Sequence, residues 1–331
     1  MAAKIAVLLP CYNEEAAIGE TVAGFRAALP EATIYVYDNN SVDRTVEVAS
    51  AAGAVVRRER AQGKGNVVRR MFADIDADIY VMADGDATYD ATSAPALVRR
   101  LVDEQLDMVV GSRISTADLA YRRGHRFGNA LLTGMLARLF GRSFTDILSG
   151  YRIFSRRFVK SFPSLSAGFE IETEISVHAL ELKMPCAEME TSYFARPEGS
   201  ISKLSTYSDG IRILRTIVML YRVERPLLFF GAFALALALL ATALTIPLAI
   251  TYAQTGLVPR FPTAIAATGL VILGALSLFS GIILDTVVRG RLEVRRLAYL
   301  SEPAVNSDLF EDERAVAPVS PSHDATPELA R

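Results

Sequence analysis

The sequence of 331 residues contains no tryptophan, two cysteines and three histidines. Cys11 and Cys186 form neither a CxxC pair nor a metal-ligand spacing, which excludes a disulfide framework and indicates a reducing compartment. The motifs GxxxxGK[ST], GxGxxG, GxSxG and HExxH are also missing. Their absence argues against a P-loop ATPase, a dinucleotide-binding dehydrogenase, an α/β-hydrolase and a zinc protease.

An excess of charge of one sign is missing as well. Lys and Arg number 35 and Asp and Glu 37, so the formal net charge is −2. A nucleic-acid-binding domain is normally strongly basic, so no nucleic-acid partner is expected. By contrast, 51% of the residues are hydrophobic and the mean hydropathy is +0.27. This value predicts apolar segments that need a non-aqueous environment.

Two uncharged runs account for the hydropathy, at 226–259 and 261–284. Each exceeds the roughly 20 residues that a helix needs to cross about 30 Å of hydrocarbon. Arginines flank the pair on both outer sides, while Arg260 alone lies between the runs, so we expect a hairpin whose two ends face the cytoplasm. Two buried helices of a large soluble domain are the alternative. The flanking arginines are Arg212, Arg215, Arg222, Arg225, Arg289, Arg291, Arg295 and Arg296.

Short β-rich runs alternate with amphipathic stretches over residues 1–115, and residues 116–200 look like an elaboration on them. This alternation predicts a mostly parallel sheet with helices on both faces and a ligand site beyond the carboxyl ends of its strands. The expected strands are 5–9, 33–37, 54–57, 79–83 and 108–111, and the expected helices are 15–28, 43–52, 94–104 and 124–140. A helix at 207–221 is expected in the membrane interface, with a core helix as the alternative, and the segment from 301 onward is expected to be disordered.

The sharpest local feature is the sequence Asp84-Gly85-Asp86, directly after the apolar run 79–83. Two carboxylates one residue apart at a strand end are costly unless a cation neutralises them, and a divalent metal that also binds phosphate oxygens would do so. Such pairs are also common in solvated turns, so the spacing by itself leaves both interpretations open.

Seven motifs, taken in order, resemble those of family-2 glycosyltransferases with the GT-A fold. Residues 7–15 (VLLPCYNEE), 38–45 (DNNSVDRT), 63–65 (GKG) and 84–86 (DGD) are similar to the successive signatures of the family. Residues 111–113 (GSR), 149–152 (SGYR) and 202–204 (SKL) resemble the polyprenyl-phosphate branch, which includes the dolichyl-phosphate mannose synthases. The resemblance spans roughly residues 4–215.

The resemblance implies an α/β fold: a GT-A-type, Rossmann-like mixed sheet with helices on both faces, followed by interfacial helices and a two-helix transmembrane hairpin. The implied parts are a cytoplasmic catalytic domain (1–205), a juxtamembrane amphipathic helix (206–225), a transmembrane hairpin (226–288, with spans at about 227–252 and 262–284) and a cytoplasmic basic segment with a disordered tail (289–331). The protein would be an integral protein of the cytoplasmic membrane, with both termini in the cytoplasm.

The resemblance also assigns roles to individual residues. The nucleotide-sugar pocket would be lined by Pro10, Tyr12, Glu14, Asp38, Asn39, Lys64 and Asp84. Asp84 and Asp86 would hold Mg²⁺ or Mn²⁺ on the diphosphate. The phosphates, including that of the lipid acceptor, would be bound by Arg113, Arg122, Arg123, Arg126, Arg152 and Lys203. Guanidinium groups match phosphate oxygens bidentately, which supports the arginines independently, although a solvated or lipid-contacting face is the alternative for 122–126.

The implied reaction is an inverting sugar transfer from a UDP- or GDP-linked donor to polyprenyl phosphate, either undecaprenyl or dolichyl phosphate. The acceptor is already largely anionic because the second pKa of a phosphate monoester is near ~6, so a general base is dispensable and Asp146 is the candidate if one exists. A processive polysaccharide synthase is disfavoured, because its QxxRW motif requires the tryptophan that is missing here. A non-catalytic membrane adaptor with a nucleotide-binding domain is the alternative from another class. Two spans are also compatible with a homo-oligomer.

Overall fold

A computed structural model describes residues 3–115, 134, 144–164, 168, 170–197, 218–219 and 222–305 of the chain. The strands are β1 (Ile5–Cys11), β2 (Thr33–Asp38), β3 (Val55–Arg58), β4 (Ile79–Met82), β5 (Met108–Ser115), β6 (Arg152–Ser155) and β7 (Cys186–Tyr193). The helices are α1 (Ile18–Ala28), α2 (Thr45–Ala51), α3 (Lys64–Asp74), α4 (Ala94–Asp103), α5 (Arg156–Ser161), α6 (Ile171–Glu181), α7 (Pro226–Thr255) and α8 (Phe261–Leu300). The predicted helix at 124–140, apart from helical Gly134, and most of the predicted helix at 207–221 lie outside the described residues. The same holds for the tail that is predicted from 301 onward, apart from residues 301–305.

The strands form one mixed sheet in the order β3-β2-β1-β4-β6-β5-β7. β1 pairs in parallel with β2 and β4, and β5 pairs in parallel with β7. β6 runs antiparallel between β4 and β5. The carboxyl ends of β1, β2, β4 and β5 therefore lie at one edge of the sheet, where ligands bind in such folds. The predicted α/β fold with helices on both faces is confirmed, and β6 and β7 come from the part that the sequence pattern treats as an elaboration.

The inner strands are buried on both faces, which explains their unbroken apolar runs. Along β1, Ala6 and Leu8 belong to one hydrophobic core and Val7 and Leu9 to the other. Successive side chains of a strand point to opposite faces, so a single run contributes to both cores. Residues of α3, α5 and α6 complete the first core, and residues of α1 and α4 complete the second.

Helices α7 and α8 are both long and apolar enough to cross a membrane. They pack against each other as a hairpin through small residues: Gly274 of α8 lies against Ala234 of α7, and Gly281 lies against Phe230. Ser277 donates a hydrogen bond of 3.0 Å to the Phe230 carbonyl oxygen at the same contact. With 40 residues at ~1.5 Å rise, α8 is about 60 Å long, twice the thickness of a hydrocarbon core.

Candidate active site

The two aspartates of the Asp84-Gly85-Asp86 sequence follow β4 at the edge where the carboxyl ends of the parallel strands meet. Two glycines leave room for neighbouring side chains here. A methyl group at Gly150 would lie 2.9 Å from Asp84 Oδ2, and one at Gly85 would overlap the sulfur of Cys11. The missing side chain at Gly150 thus leaves room for the Asp84 carboxylate, and the missing side chain at Gly85 leaves room for the Cys11 sulfur.

Lys64, at the start of α3, lies between two carboxylates. Its ammonium group donates to Asp84 Oδ1 and lies 2.5 Å from Glu172 Oε1. The side chains of Lys64 and Glu172 are 9% and 6% exposed, whereas that of Asp84 is 31% exposed. Burial lowers the pKa of Lys64, but the charges of Asp84 and Glu172 outweigh it, so the pKa is raised well above its usual value. Lys64 is therefore a permanently charged counter-ion that the two carboxylates share.

Asp86 is held by a different set of groups. Its Oδ1 accepts hydrogen bonds from the Thr88 hydroxyl at 2.6 Å and the Thr88 amide at 3.3 Å, and its Oδ2 lies 2.6 Å from an Arg196 nitrogen. Burial, followed by the charge of Asp84, raises the pKa of Asp86 above its ordinary value against the opposing charge of Arg196. The charge of Asp84 thus opposes the ionisation of Asp86, as expected for two carboxylates one residue apart.

Arg113 on β5 and Asp146 form a bidentate ion pair beside this edge. The Nε and Nη2 atoms of Arg113 donate to the two carboxylate oxygens at 2.7 and 2.8 Å, and the Arg113 amide donates at 3.2 Å. Burial alone would raise the pKa of Asp146, but the hydrogen bonds and charge of Arg113 outweigh it and hold that pKa below its usual value. The Arg113 guanidinium also lies over the Tyr193 ring, 5.5 Å from its centroid.

The balance of charge at the edge fits a divalent cation. Among the described residues, the cluster around the aspartate pair has four acidic and two basic side chains and a net charge of −2, namely Glu14, Asp84, Asp86 and Glu172 against Lys64 and Arg196. Within the described ranges, no three His, Cys, Asp or Glu side chains are arranged to hold a metal ion by themselves. A metal here would therefore take its remaining ligands from phosphate oxygens and water, as Mg²⁺ usually does in nucleotide sites.

The ends of β1 and β2 form a second part of the edge. Asp38 is fully buried, and its Oδ1 accepts a hydrogen bond of 3.1 Å from the Ser41 amide. Its Oδ2 is buried without a hydrogen-bond partner, although Arg58 Nε lies 3.5 Å away. Tyr12 is 37% exposed at the end of β1, and the amide of Glu14 donates to the Thr45 hydroxyl at 2.9 Å. The ion pair with Arg58 offsets some of the cost of a buried carboxylate oxygen that accepts no hydrogen bond.

Comparison with known proteins identifies the family. Residues 6–162 match the model described as Glycosyl transferase family 2. Glycosyltransferase AglJ of Haloferax volcanii is 35% identical over 252 residues, which cover 75% of this chain and 81% of AglJ. The chain belongs to glycosyltransferase family 2.

Two further comparisons extend this result to a second relative and to the fold. Dolichyl-phosphate hexose transferase of Haloferax volcanii is 27% identical to the present chain over 221 residues. The match covers 67% of this chain and 95% of that protein. The fold is also that of glucosyl-3-phosphoglycerate synthase from Mycobacterium tuberculosis, whose crystal structure contains Mn²⁺, uridine diphosphate and glucosyl-3-phosphoglycerate. The two structures align over 66% of this chain and 79% of the synthase with a TM-score of 0.53 and 24% identity.

Two of the predicted site residues of the glycosyltransferase, Arg152 and Asn39, make hydrogen bonds to other groups of the protein. Arg152 is fully buried and donates to the Ser149 carbonyl and the Ser176 hydroxyl, both at 2.9 Å, and to the Ile147 carbonyl. The structure thus places Arg152 beneath the 147–149 loop rather than on an accessible surface. Asn39 accepts from the Gly63 amide at 2.7 Å and donates to two carbonyl groups of the loop that leads to Lys64.

The remaining predicted residues are Pro10, which the structure describes, and four basic residues, which it does not. Pro10 pairs with Tyr37 in the sheet and lies at the same edge as Tyr12 and Asp38. Arg122, Arg123, Arg126 and Lys203 lie outside the described residues.

Glu172 and Arg196 are site residues that the sequence motifs do not reveal. Glu172 is the second of three alternating glutamates around the start of α6, and its one distinguishing signal is its place beside the buried Ile171. Arg196 follows β7 without any local pattern, and it reaches Asp86 because the end of β7 runs beside residues 88–89: Tyr193 forms a bridge with Tyr89, and the Phe194 amide donates to the Thr88 carbonyl oxygen at 2.9 Å. Both residues supply charge to the aspartate pair from more than 80 positions away in the chain.

Proposed function

We propose that this glycosyltransferase transfers a sugar, with inversion of the anomeric centre, from a UDP- or GDP-linked donor to polyprenyl phosphate at the cytoplasmic face of a membrane. The observation that carries the proposal is the combination, in one chain, of an anionic strand edge suited to a divalent cation and two helices able to span a bilayer. The dolichyl-phosphate hexose transferase relative supports the acceptor class. Mn²⁺ and uridine diphosphate in the solved synthase support the donor class and the metal.

Asp84 and Asp86 would hold Mg²⁺ or Mn²⁺ against the donor diphosphate. When bound, the metal would supply positive charge that stabilises the diphosphate as it leaves. Lys64 remains protonated beside Asp84, so it would add a fixed positive charge at the same place. Asp38, with Pro10, Tyr12 and Glu14 at the same edge, would bind the nucleoside part through the carboxylate oxygen that now faces Arg58.

The acceptor phosphate would act as the nucleophile without a dedicated base, since it is already anionic at cytoplasmic pH. Asp146 keeps a low pKa because it is bound to Arg113, so it fits the orientation of that guanidinium better than it fits proton removal. Arg113 would then meet a phosphate group. The basic residues Arg122, Arg123, Arg126 and Lys203 are proposed to assist at the lipid side.

The proposal can be tested with the purified full-length protein in lipid nanodiscs and a panel of radiolabelled UDP- and GDP-sugars. Undecaprenyl phosphate, dolichyl phosphate and 3-phosphoglycerate serve as alternative acceptors. We expect label in the organic phase that depends on Mg²⁺ or Mn²⁺, and a loss of at least about a hundredfold in Asp86→Ala. The exposed Glu47→Gln is the control variant. Label confined to phosphoglycerate would contradict the acceptor, and donor binding without transfer to any acceptor would instead support an adaptor.

A further inference from the structure

The second half of α8 lies beyond the apolar run and contacts the catalytic domain. The uncharged run ends at Leu284, but the helix continues without a break to Leu300. Residues 285–302 are called the α8 extension below. Leu292 and Tyr299 pack on the first hydrophobic core of the domain, and Arg295 lies between them on the same helical face. The α8 extension is thus docked on the sheet domain. In an isolated membrane hairpin the same segment would be exposed to water.

Asp107 is the centre of this contact. It precedes β5, is fully buried, and accepts a hydrogen bond of 2.7 Å from the Ser155 hydroxyl. Its carboxylate also binds the Arg157 guanidinium, with one bond of 2.9 Å. The Tyr299 hydroxyl of the α8 extension donates to Asp107 Oδ2 at 2.8 Å, and Arg157 lies 4.8 Å from the centre of the Tyr299 ring. Tyr299 therefore completes the shell of a buried charge in the domain.

Two more ionic contacts flank Tyr299 along the helix. Arg295 donates to Glu181, with side chains that are only 17% and 8% exposed. Glu302, directly after the helix, lies 3.0 Å from Arg156 Nε. From Arg295 to Glu302 the contacts extend over about 10 Å of helix. A helix held at several points along its length resists tilting and rotation relative to the domain, which one contact would not achieve.

Helix α6 links this contact to the candidate active site. Glu172 at its first turn binds Lys64 beside Asp84, and Glu181 at its last turn binds Arg295 of the α8 extension. Their separation of nine positions corresponds to about 14 Å of helix. One rigid helix therefore joins the aspartate pair to a helix that is continuous with a candidate membrane span.

From this geometry we infer that the α8 extension positions the catalytic domain over the bilayer, so that the strand edge meets the phosphate of a membrane-held acceptor. Tyr299 and Arg295 are positioning residues that act through Asp107 and Glu181. The inference rests on the proposed lipid acceptor. A domain tethered only by a flexible segment would sample many heights and angles, whereas a docked continuous helix restricts it to one.

The test compares the double variant Arg295→Gln/Tyr299→Phe with the control Arg296→Gln. The control removes the same charge from the adjacent, exposed position. Tyr299→Phe keeps the ring and loses only the hydroxyl donor. Each protein is assayed in nanodiscs with long-chain polyprenyl phosphate and, separately, with a short water-soluble prenyl phosphate. Hydrogen exchange of the α8 extension reports on docking independently of any transfer.

We expect the double variant to exchange faster in the α8 extension and to lose about tenfold in transfer to the long-chain acceptor, because a misplacement of ~1 Å can cost about a hundredfold. Transfer to the short acceptor should stay within about twofold of the unaltered chain, and the control should behave like it throughout. An equal loss with both acceptors, unchanged exchange, or unchanged transfer to the long-chain lipid would each overturn the inference. Failure of the unaltered chain to use either prenyl phosphate would refute the proposed acceptor, and the inference with it.

Discussion

Replacement of Glu172 by glutamine tests whether Lys64 is shared between two carboxylates. Glu172 and Lys64 are almost completely buried, and their charged groups are 2.5 Å apart. A hydrogen bond to a charged group contributes about 1.5–3 kcal/mol. Because Lys64 keeps Asp84 as a partner, the variant avoids the larger cost of a buried charge left alone. We expect Glu172→Gln to lower the free energy of unfolding by about 2 kcal/mol.

The same substitution should weaken metal binding. It changes the net charge of the cluster from −2 to −1, and it leaves Asp84 as the single carboxylate partner of Lys64. For a divalent charge and a carboxylate about 7 Å apart, at an effective dielectric constant of ~40, the loss of the carboxylate charge removes about 2 kcal/mol of attraction. The expected result is an affinity for Mn²⁺ about thirtyfold lower in the presence of the nucleotide diphosphate.

The assay is a Mn²⁺ titration followed by electron paramagnetic resonance of the free ion, with thermal unfolding measured on the same samples. Glu20→Gln, on the exposed side of α1, removes an equal charge far from the cluster and should change neither quantity. The double variant Lys64→Met/Glu172→Gln restores the net charge of −2 and should recover most of the affinity. A Mn²⁺ affinity that stays within twofold in Glu172→Gln would show that the shared lysine does not govern this edge.

Three further predictions concern the close approach at Gly85, the Arg113 pair and the carboxylate of Glu224 just before α7. Gly85→Ala should lower the free energy of unfolding by about 1–3 kcal/mol through overlap with the Cys11 sulfur, and the added Cys11→Ala should recover most of it in thermal unfolding; no recovery would place the strain elsewhere. Arg113→Lys should raise the KM for the acceptor about tenfold, because lysine cannot donate bidentately to Asp146, and an unchanged KM would contradict the proposed phosphate contact. Burial, followed by the neighbouring Glu181, raises the pKa of Glu224 from its ordinary value to about 8. The stabilisation from its neutral form is complete below the unfolded pKa of 4.5 and is lost by the time the pH has risen through 8, so the unfolding temperature should fall between about pH 5 and 8 and Glu224→Gln should flatten that slope.

The fold follows from local patterns in the chain to a considerable extent. The strand expected at 5–9 is observed at Ile5–Cys11, and the helix expected at 94–104 is observed at Ala94–Asp103. Such elements are predictable because apolar runs and helical periodicity depend on neighbours within a few residues. The strands β6 and β7 are less visible, since β6 is only four residues long and β7 is mostly half-buried.

The site can be predicted from the sequence only where one short motif contains the side chains that act together. Asp84 and Asp86 lie at the predicted strand end, and Asp38 lies near them at the same edge. Arg152 shows the limit of such predictions. An arginine that binds phosphate and an arginine that donates hydrogen bonds to a loop can have the same local sequence. Burial is a property of the assembled chain, and no window of neighbouring residues contains it.

The amino-acid sequence by itself determined the alternation of strands and helices, the aspartate pair after β4 and the two uncharged runs near the C-terminus, because each depends on residues that are close together in the chain. The tertiary structure decided which charges meet: Glu172 with Lys64, Arg196 with Asp86, and Tyr299 with Asp107 across 192 positions. These pairings come from the order of strands and from the helices packed on the sheet. An ion pair stabilises a protein appreciably only when its two charges are in contact and shielded from water. Folding alone brings side chains that are far apart in the sequence into such contact.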